Sequence, residues 1–181
     1  MRLSPQNEDA LAMMARVTRD MNLRDERCNT LRVLSELYPN DLEVISAYAA
    51  SLIEIYQTQG SIVNRQEMND GVELLKRCVA LSEGKDERFH VMLGLTLSGA
   101  ERFTEAAEVY KALWEYRKES GTNSELLTET DLIYRIGDNY YNAGKLQEAE
   151  EYFRRGNELN PNDPEFFIML NKISLKKHGI R

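Results

Sequence analysis

Residues 131–164, DLIYRIGDNYYNAGKLQEAEEYFRRGNELNPNDP, are the stretch that decides the fold. Apolar residues recur in it three and four positions apart, which is the spacing of one face of a helix. A glycine-containing turn at residues 141–145 interrupts this pattern, and the prolines within residues 160–164 end it. The stretch therefore predicts two short antiparallel helices joined by a tight turn.

Both predicted helices carry small residues at the places where the two helices would touch. Because Gly137 and Ala149 lack bulk, the helices can approach closely, and larger side chains fill the gaps on either side. The first stripe consists of Ile133, Ile136, Gly137 and Tyr140, and the second of Ala149, Phe153 and Gly156. We expect these two stripes to form the contact between the helices.

This pattern resembles the tetratricopeptide repeat, whose signature runs W-x2-L-G-x2-Y, then A-x3-F, then P. The positions that match it outright are Gly137, Tyr140, Ala149, Phe153 and Pro161. Ile133 and Ile136 replace the Trp and the Leu of the signature. The resemblance implies an all-α fold, a right-handed superhelical array of antiparallel helix pairs.

Weaker copies of the same spacing precede the strong one. The nearest copy has Leu93, Gly94, Leu97, Ala106 and Tyr110, with Phe103 just ahead of its second helix. The next has Ile45, Tyr48, Ala49 and Leu52, then Gly71, Leu75 and Cys78. The first has Leu11, Met14, Ala15 and Thr18, then Leu31 and Leu34. Arg27 of this first copy stands in the place of Ala149 and departs from the pattern.

The copies divide the chain into about four helix pairs and a final helix. Their approximate bounds are 8–41, 42–86, 87–129 and 130–163, and a capping helix over 164–181 has Phe167, Leu170 and Asn171 at first-helix spacing. We expect one domain over residues 1–181, since stacked repeats bury a continuous core. Residues 57–70 and 118–129 exceed the length of the unit, and the sequence leaves open whether they extend helices or form loops.

The composition predicts a cytoplasmic protein. Apolar residues make up 42% of the 181 positions, a normal globular share. The formal charge of −7 argues against nucleic acid as a partner and disfavours anionic membrane surfaces. The N-terminus lacks the apolar region of a secretory signal, and no stretch is apolar enough to insert into a membrane. Cys28 and Cys78 lack the paired spacing of a redox or metal motif and are expected to be small buried residues.

The sequence contains no pattern typical of a catalytic, metal or cofactor site. Its two histidines, His90 and His178, stand in a packing stripe and in the basic tail. The acidic cluster of Glu148, Glu150 and Glu151 lies beside arginines, which favours surface ion pairs over metal ligands. We therefore predict a protein that is not an enzyme and needs no cofactor.

The resemblance also implies a binding surface. In this family the first helices line the concave face of the array, and the residue after each packing position projects into it. Moving one residue on from the packing positions gives this groove set: Arg16, Arg19, Ser46, Ala50, Ile53, Val91, Leu95, Ser98, Tyr134, Asp138 and Tyr141. The set has a basic end, an apolar middle and an end with two tyrosines and one acid. Such a groove suits an extended or helical peptide with apolar anchors.

The resemblance leaves three kinds of role open. The favoured one is an adaptor or scaffold that binds a protein or peptide partner in the groove. The second is a small acidic cytoplasmic chaperone of a type III secretion-like substrate, since such chaperones share this size, acidity and groove. The third is a self-associating repeat protein, a homo-oligomer whose groove is filled by another copy. The basic clamp that some members use on acidic chaperone tails is absent, because the matching places hold Ala12, Arg16, Ala50, Val91 and Leu95.

Overall fold

The computed structural model describes residues 23–59, 65–122 and 126–179 of the chain. This part is all-α, with eight helices and no strand within it. The helices are α1 (Arg24–Leu37), α2 (Leu42–Gln59), α3 (Arg65–Leu81), α4 (Glu87–Gly99), α5 (Phe103–Ser120), α6 (Glu129–Asn142), α7 (Leu146–Leu159) and α8 (Pro164–Lys177). The fold class is the predicted one, an all-α array of helical repeats.

The chain divides into two compact units, residues 1–89 and residues 90–181, with the boundary inside α4. In the first unit α2 packs against both α1 and α3. The residues of the predicted stripes that have no exposed surface there are Ile45, Ala49, Leu75 and Cys78. Burial raises the pKa of the Cys78 thiol to about 11, so this residue acts as an apolar side chain. The predicted helix with Leu11, Met14, Ala15 and Thr18 lies outside the described residues.

Arg27, the residue of the first copy that departs from the pattern, takes part in the contact between α1 and α2. Arg27 stands where a small residue is expected, and its guanidinium pairs with the carboxylate of Glu54 on α2. Nε of Arg24 donates to the same carboxylate at 2.9 Å. Although burial acts to raise it, the pKa of Glu54 is lowered by these two hydrogen bonds. An ion pair thus lies at the contact between α1 and α2.

The strongest copy forms α6 and α7, and its predicted stripes are buried. Ile133, Ile136, Ala149 and Phe153 have no exposed surface. A β-carbon at Gly137 would lie 3.0 Å from Cε1 of Phe153, so the absence of a side chain lets this ring approach α6. The predicted contact between these two helices is confirmed.

The preceding copy packs in the same manner across α4 and α5. Cζ of Tyr110 lies 2.4 Å from the position that a β-carbon of Gly94 would occupy, and the Tyr110 ring is fully buried. The prediction that Phe103 lies ahead of α5 is wrong by one residue. Because the carbonyl oxygen of Arg102 already accepts a helical hydrogen bond, Arg102 is the N-cap and Phe103 is the first helical residue. His90, expected in the packing stripe, is buried.

The first of the two long segments mainly extends helices, and the second is mainly a connection between helices. α2 continues to Gln59 and α3 begins at Arg65, so most of residues 57–70 is helical. In the segment 118–129, α5 ends at Ser120, and its C-cap is Gly121, whose φ of 66° lies in the left-handed region that glycine adopts without strain. The described remainder of that segment has no helix until α6 begins at Glu129. The extra length therefore goes into helices of 17 and 18 residues and one connection.

The final helix, α8, buries residues other than those at first-helix spacing. Its buried residues are Phe166, Met169 and Ile173. The residues at first-helix spacing, Phe167, Leu170 and Asn171, are partly or largely exposed, Phe167 by 62%. On α6 the residue equivalent to Asn171 is Gly137, which is covered by Phe153 of the following helix. Within the described residues no helix follows α8, so the equivalent face of α8 meets solvent.

A capping box fixes the start of α6. The backbone N–H of Asp131 donates to Oγ1 of Thr128 at 3.1 Å, and the backbone N–H of Thr128 donates to Oδ2 of Asp131 at 3.0 Å. These bonds satisfy donors that every helix start leaves without a helical partner. Hydrogen bonds from the Thr128 side chain and backbone lower the pKa of the Asp131 carboxyl.

Replacing Asp131 with asparagine is expected to lower the free energy of unfolding by about 1 kcal/mol near pH 7. Because the folded-state pKa is depressed below 3.8, the carboxylate stabilises fully above that value and loses its effect as pH falls through the folded pKa. Urea unfolding at about pH 7 and about pH 2 should therefore show a smaller loss at the lower pH. Thr128→Ala removes the uncharged hydroxyl of the capping box and should lower the free energy of unfolding at both pH values. An equal cost of Asp131→Asn at both values would contradict the role of its charge.

Candidate partner-binding site

An open pocket of about 290 Å³ lies in the second unit, between α4, α6 and the start of α8. Four residues of the groove set line it: Leu95, Ser98, Tyr134 and Asp138. The other lining residues, which the sequence did not indicate, are Thr130, Asp131, Arg135, Asn139, Asp163, Glu165 and Phe166. The pocket thus brings together groove residues that come from the third and fourth copies.

α6 positions two of these side chains because its other faces are buried. Its buried residues are Leu132, Ile133, Ile136, Gly137, Asn139 and Tyr140. Tyr134 and Asp138 are four residues apart and so lie one above the other on the remaining, partly exposed side. The same apolar spacing that packs the helix therefore decides which two side chains reach the pocket.

Tyr134 belongs to the aromatic core as much as to the pocket. Its ring meets the ring of Phe153 edge-on, with centroids 5.6 Å apart, and the ring of Phe166 with centroids 5.9 Å apart. Burial raises the pKa of the Tyr134 hydroxyl. One side of this ring stabilises the fold, and the other faces the pocket.

Ser98 and Asn139 join α4 to α6 at the wall of the pocket. Oγ of Ser98 donates to Oδ1 of Asn139 at 2.8 Å, and Nδ2 of Asn139 donates to the carbonyl oxygen of Arg135 at 2.8 Å. Asn139 is buried, so leaving its amide without partners would be costly. Ser98 is therefore engaged with the protein and shapes the wall of the pocket.

Leu95 and Asp138 stand open to the pocket. Leu95 is 48% exposed, while Leu97 two residues along α4 is fully buried. Asp138 is half-buried in the middle of α6, and its Oδ2 accepts a hydrogen bond from Nδ2 of Asn142 at 3.2 Å. Burial raises the pKa of the Asp138 carboxyl, and the charge of Lys172 opposes this effect. The pocket thus combines an exposed apolar side chain with an incompletely solvated carboxyl.

The other groove residues of the second unit, Val91 and Tyr141, lie outside the pocket. Both are partly buried and pack against the apolar core of that unit. Nζ of Lys176 lies 4.5 Å from the centroid of the Tyr141 ring, which is a cation–π contact. Packing within the unit thus occupies much of both side chains.

Three groove residues lie on α2, in the first unit. Ser46 is buried and donates through Oγ to the carbonyl oxygen of Glu43 at 3.2 Å. Ile53 packs against α3, since a β-carbon at Gly71 would lie 2.9 Å from its Cγ1. Ala50 is exposed. The remaining two members of the set, Arg16 and Arg19, lie outside the described residues.

The acidic residues at the rim of the pocket, Asp131, Asp163 and Glu165, were not expected from the sequence. Asp131 belongs to the capping box of α6, and Asp163 caps α8 by accepting a hydrogen bond from the backbone N–H of Glu165 at 3.0 Å. Both helices begin at this rim, so their caps and the first-turn Glu165 bring carboxylates to one place. A cap pattern in the sequence, Thr128 with Asp131 or Asp163 before Pro164, is the signal that would have found them.

A second cavity, of about 440 Å³, lies beside Trp114 in the same unit. Its polar groups are engaged within the protein: Nε1 of Trp114 donates to Oε1 of Glu129 at 3.1 Å, and Nη1 of Arg117 donates to the carbonyl oxygen of Leu127 at 2.8 Å. Across the described ranges, no three side chains of His, Cys, Asp or Glu lie close enough to hold one metal ion. No described helix combines the length and apolar character that a membrane span requires. The pocket with Leu95 and Asp138 is therefore the candidate site.

Comparison with known proteins places this geometry in context. Residues 130–163 match the family model of the tetratricopeptide repeat. No curated protein sequence matches the chain. Among solved structures, MamA 41-end from Desulfovibrio magneticus RS-1 has a TM-score of 0.62 at 14% identity, over 94% of this chain and 85% of that one. TTC0263, a thermophilic tetratricopeptide-repeat protein of Thermus thermophilus, has a TM-score of 0.55 at 17% identity, over 95% and 84%. At these identities the likeness to the solved structures shows a shared fold.

Proposed function

Because this chain is a protein of the tetratricopeptide-repeat family, whose members are typically non-enzymatic protein–protein interaction modules, we propose that it is an adaptor or scaffold. It binds a segment of a partner protein in a groove lined by the members of the predicted set that lie in the second unit. The pocket of the second unit, with Leu95, Ser98, Tyr134 and Asp138, is the part of this groove that the partner contacts most closely. We expect the interaction to take place in the cytoplasm.

The exposure of Leu95 carries this proposal. A single exposed leucine on a flat surface is ordinary, but Leu95 stands at the wall of a pocket that Tyr134 and Phe166 also line. An apolar side chain of a partner placed there would remove Leu95 from water, and complete burial of such a side chain stabilises by about 1.5–3 kcal/mol. Aromatic side chains held in place by the core, as Tyr134 is, also need little ordering when a partner binds.

Replacing Leu95 with asparagine is expected to weaken partner binding by roughly tenfold or more and to leave helicity unchanged. The partner is obtained by affinity purification of the full chain from its native cell and mass spectrometry, and its purified form is titrated against each variant by calorimetry. Leu159→Asn is the matched control, because Leu159 is 51% exposed at the end of α7 and outside the pocket. Unchanged affinity of Leu95→Asn, or an equal loss in both variants, would reject the groove.

The two alternative roles predict different results in the same experiments. If the chain is a secretion chaperone, the partner is a long amphipathic secreted protein that is kept soluble by co-expression, and Leu95→Asn lowers this solubility. If the groove is filled by another copy, sedimentation of the isolated chain shows association that rises with concentration and is lost in Leu95→Asn. Monomeric behaviour across the concentration range would exclude self-association through the groove.

A further inference from the structure

We propose that the partner segment carries a basic side chain, lysine or arginine, next to an apolar residue, and that Asp138 contacts this basic group in the pocket of the second unit. This inference rests on the proposed function, because it concerns the occupant of the same groove. The proposed pairing is the inverse of the basic clamp that some family members use for acidic tails.

The charges that line the pocket are the first observation. Its four carboxylates come from Asp131, Asp138, Asp163 and Glu165. The pocket lining contains one basic side chain, Arg135, and its guanidinium carbon lies 5.8 Å from the centroid of the Tyr110 ring. Within residues 23–59, 65–122 and 126–179, none of the four carboxylates forms an ion pair with a lysine or arginine. The pocket is therefore negative and complementary to a cation.

Asp138 is the one of these four carboxylates that does not lie at the start of a helix. The acids at the helix starts, Asp131, Asp163 and Glu165, interact favourably with the N-terminal ends of α6 and α8. Asp138 lies in the interior of α6, where aspartate is a poor helix former, and it is half-buried. Lys172 of α8 and Arg135 act on it through their charges, without an ion pair. A basic group of a partner would supply the direct ion pair that Asp138 does not make within the described residues.

The apolar wall decides which kind of cation fits. Leu95 and Phe166 line the same pocket as Asp138, and Tyr134 presents the side of its ring that the core leaves uncovered. A lysine or arginine stem packs on apolar surface while its charged head reaches a polar group, so it matches this arrangement. A bare metal ion does not, because no three side chains of His, Cys, Asp or Glu in the described part of the chain lie close enough to hold one. The geometry therefore favours a peptide segment with adjacent basic and apolar side chains.

Selection from a phage-displayed library of random peptides of about a dozen residues tests this inference on the full chain. Peptides that bind the native chain and fail to bind Leu95→Asn are kept as groove-dependent. We expect lysine or arginine next to an apolar residue to be enriched among them several-fold over the library. A synthetic copy of a selected peptide should bind about fivefold more weakly when its basic residue is replaced by glutamine. This difference should shrink to less than about twofold on Asp138→Asn.

Asp70→Asn is the matched control for Asp138→Asn. Asp70 is likewise a mid-helix aspartate, and its Oδ1 accepts a hydrogen bond from Nε2 of Gln66 at 2.7 Å, but it lies on α3 in the first unit. It should leave the preference for lysine unchanged. Groove-dependent peptides without enriched basic residues would overturn the inference and leave the proposed function standing. A preference for lysine that survives Asp138→Asn would overturn the role of Asp138, and a complete lack of groove-dependent peptides would overturn both proposals.

Discussion

Replacing Phe153 with alanine is expected to lower the free energy of unfolding by about 3–5 kcal/mol. The Phe153 side chain has no exposed surface, and its ring lies against Gly137. It also meets the ring of Tyr134 at 5.6 Å and the ring of Phe166 at 6.4 Å between centroids. Alanine would remove these contacts and leave a cavity between α6, α7 and α8. The loss should be large because the helices that surround the cavity are held by other contacts and cannot close it completely.

Fluorescence of Trp114 measures this effect in the second unit. The sequence has one tryptophan, and its ring packs edge-on against Tyr152 of α7 with centroids 6.1 Å apart. Urea titrations of the native chain and of Phe153→Ala give the difference in free energy of unfolding. Phe167→Ala is the control, because a phenylalanine that is 62% exposed should cost less than about 0.5 kcal/mol. Similar costs for the two variants would contradict the assignment of Phe153 to the core.

The packing of α6 on α7 could be predicted from sequence because it depends on local spacing. Gly137 and Phe153 belong to helices joined by a short turn, so the spacing of their stripes is enough to bring them into contact. The register of α8 could not be obtained in the same way. A repeat pattern assumes that each first helix has a second helix to cover it, and Phe167 is exposed where no such helix follows in the described chain.

The sequence indicated four of the residues that line the pocket, but not the contacts around them. A one-residue shift from the packing positions led to Leu95 and Asp138, and the fold brings both to one pocket. It did not show that Ser98 is bonded to Asn139, because that contact joins residues 41 positions apart and depends on how α4 meets α6. The acids of the helix starts were missed for a related reason. A capping residue in the sequence indicates where a helix begins. Whether two capping residues lie close together depends on how their helices are arranged.

Replacing Gly156 with alanine is expected to lower the free energy of unfolding by about 1–2 kcal/mol, although alanine is the better helix former by about 1 kcal/mol. A β-carbon at Gly156 would lie 2.1 Å from Cε1 of Phe166, whose ring is almost completely buried. The ring or the whole of α8 must then move by about 1 Å or more to restore a normal contact. Because Phe166 also lines the pocket, we expect the same substitution to weaken binding of the partner.

Gly99→Ala is the control variant. It separates the effect of the clash with Phe166 from the general effect of replacing a helical glycine with alanine. Gly99 ends α4, and a β-carbon there would meet no atom within 4 Å. Its replacement should leave stability unchanged or raise it by up to about 1 kcal/mol. Urea unfolding followed by Trp114 fluorescence compares the two variants, and calorimetric titration of the partner compares their grooves. If Gly156→Ala were as stable as the native chain and bound normally, close contact between α7 and Phe166 would not set the shape of the pocket.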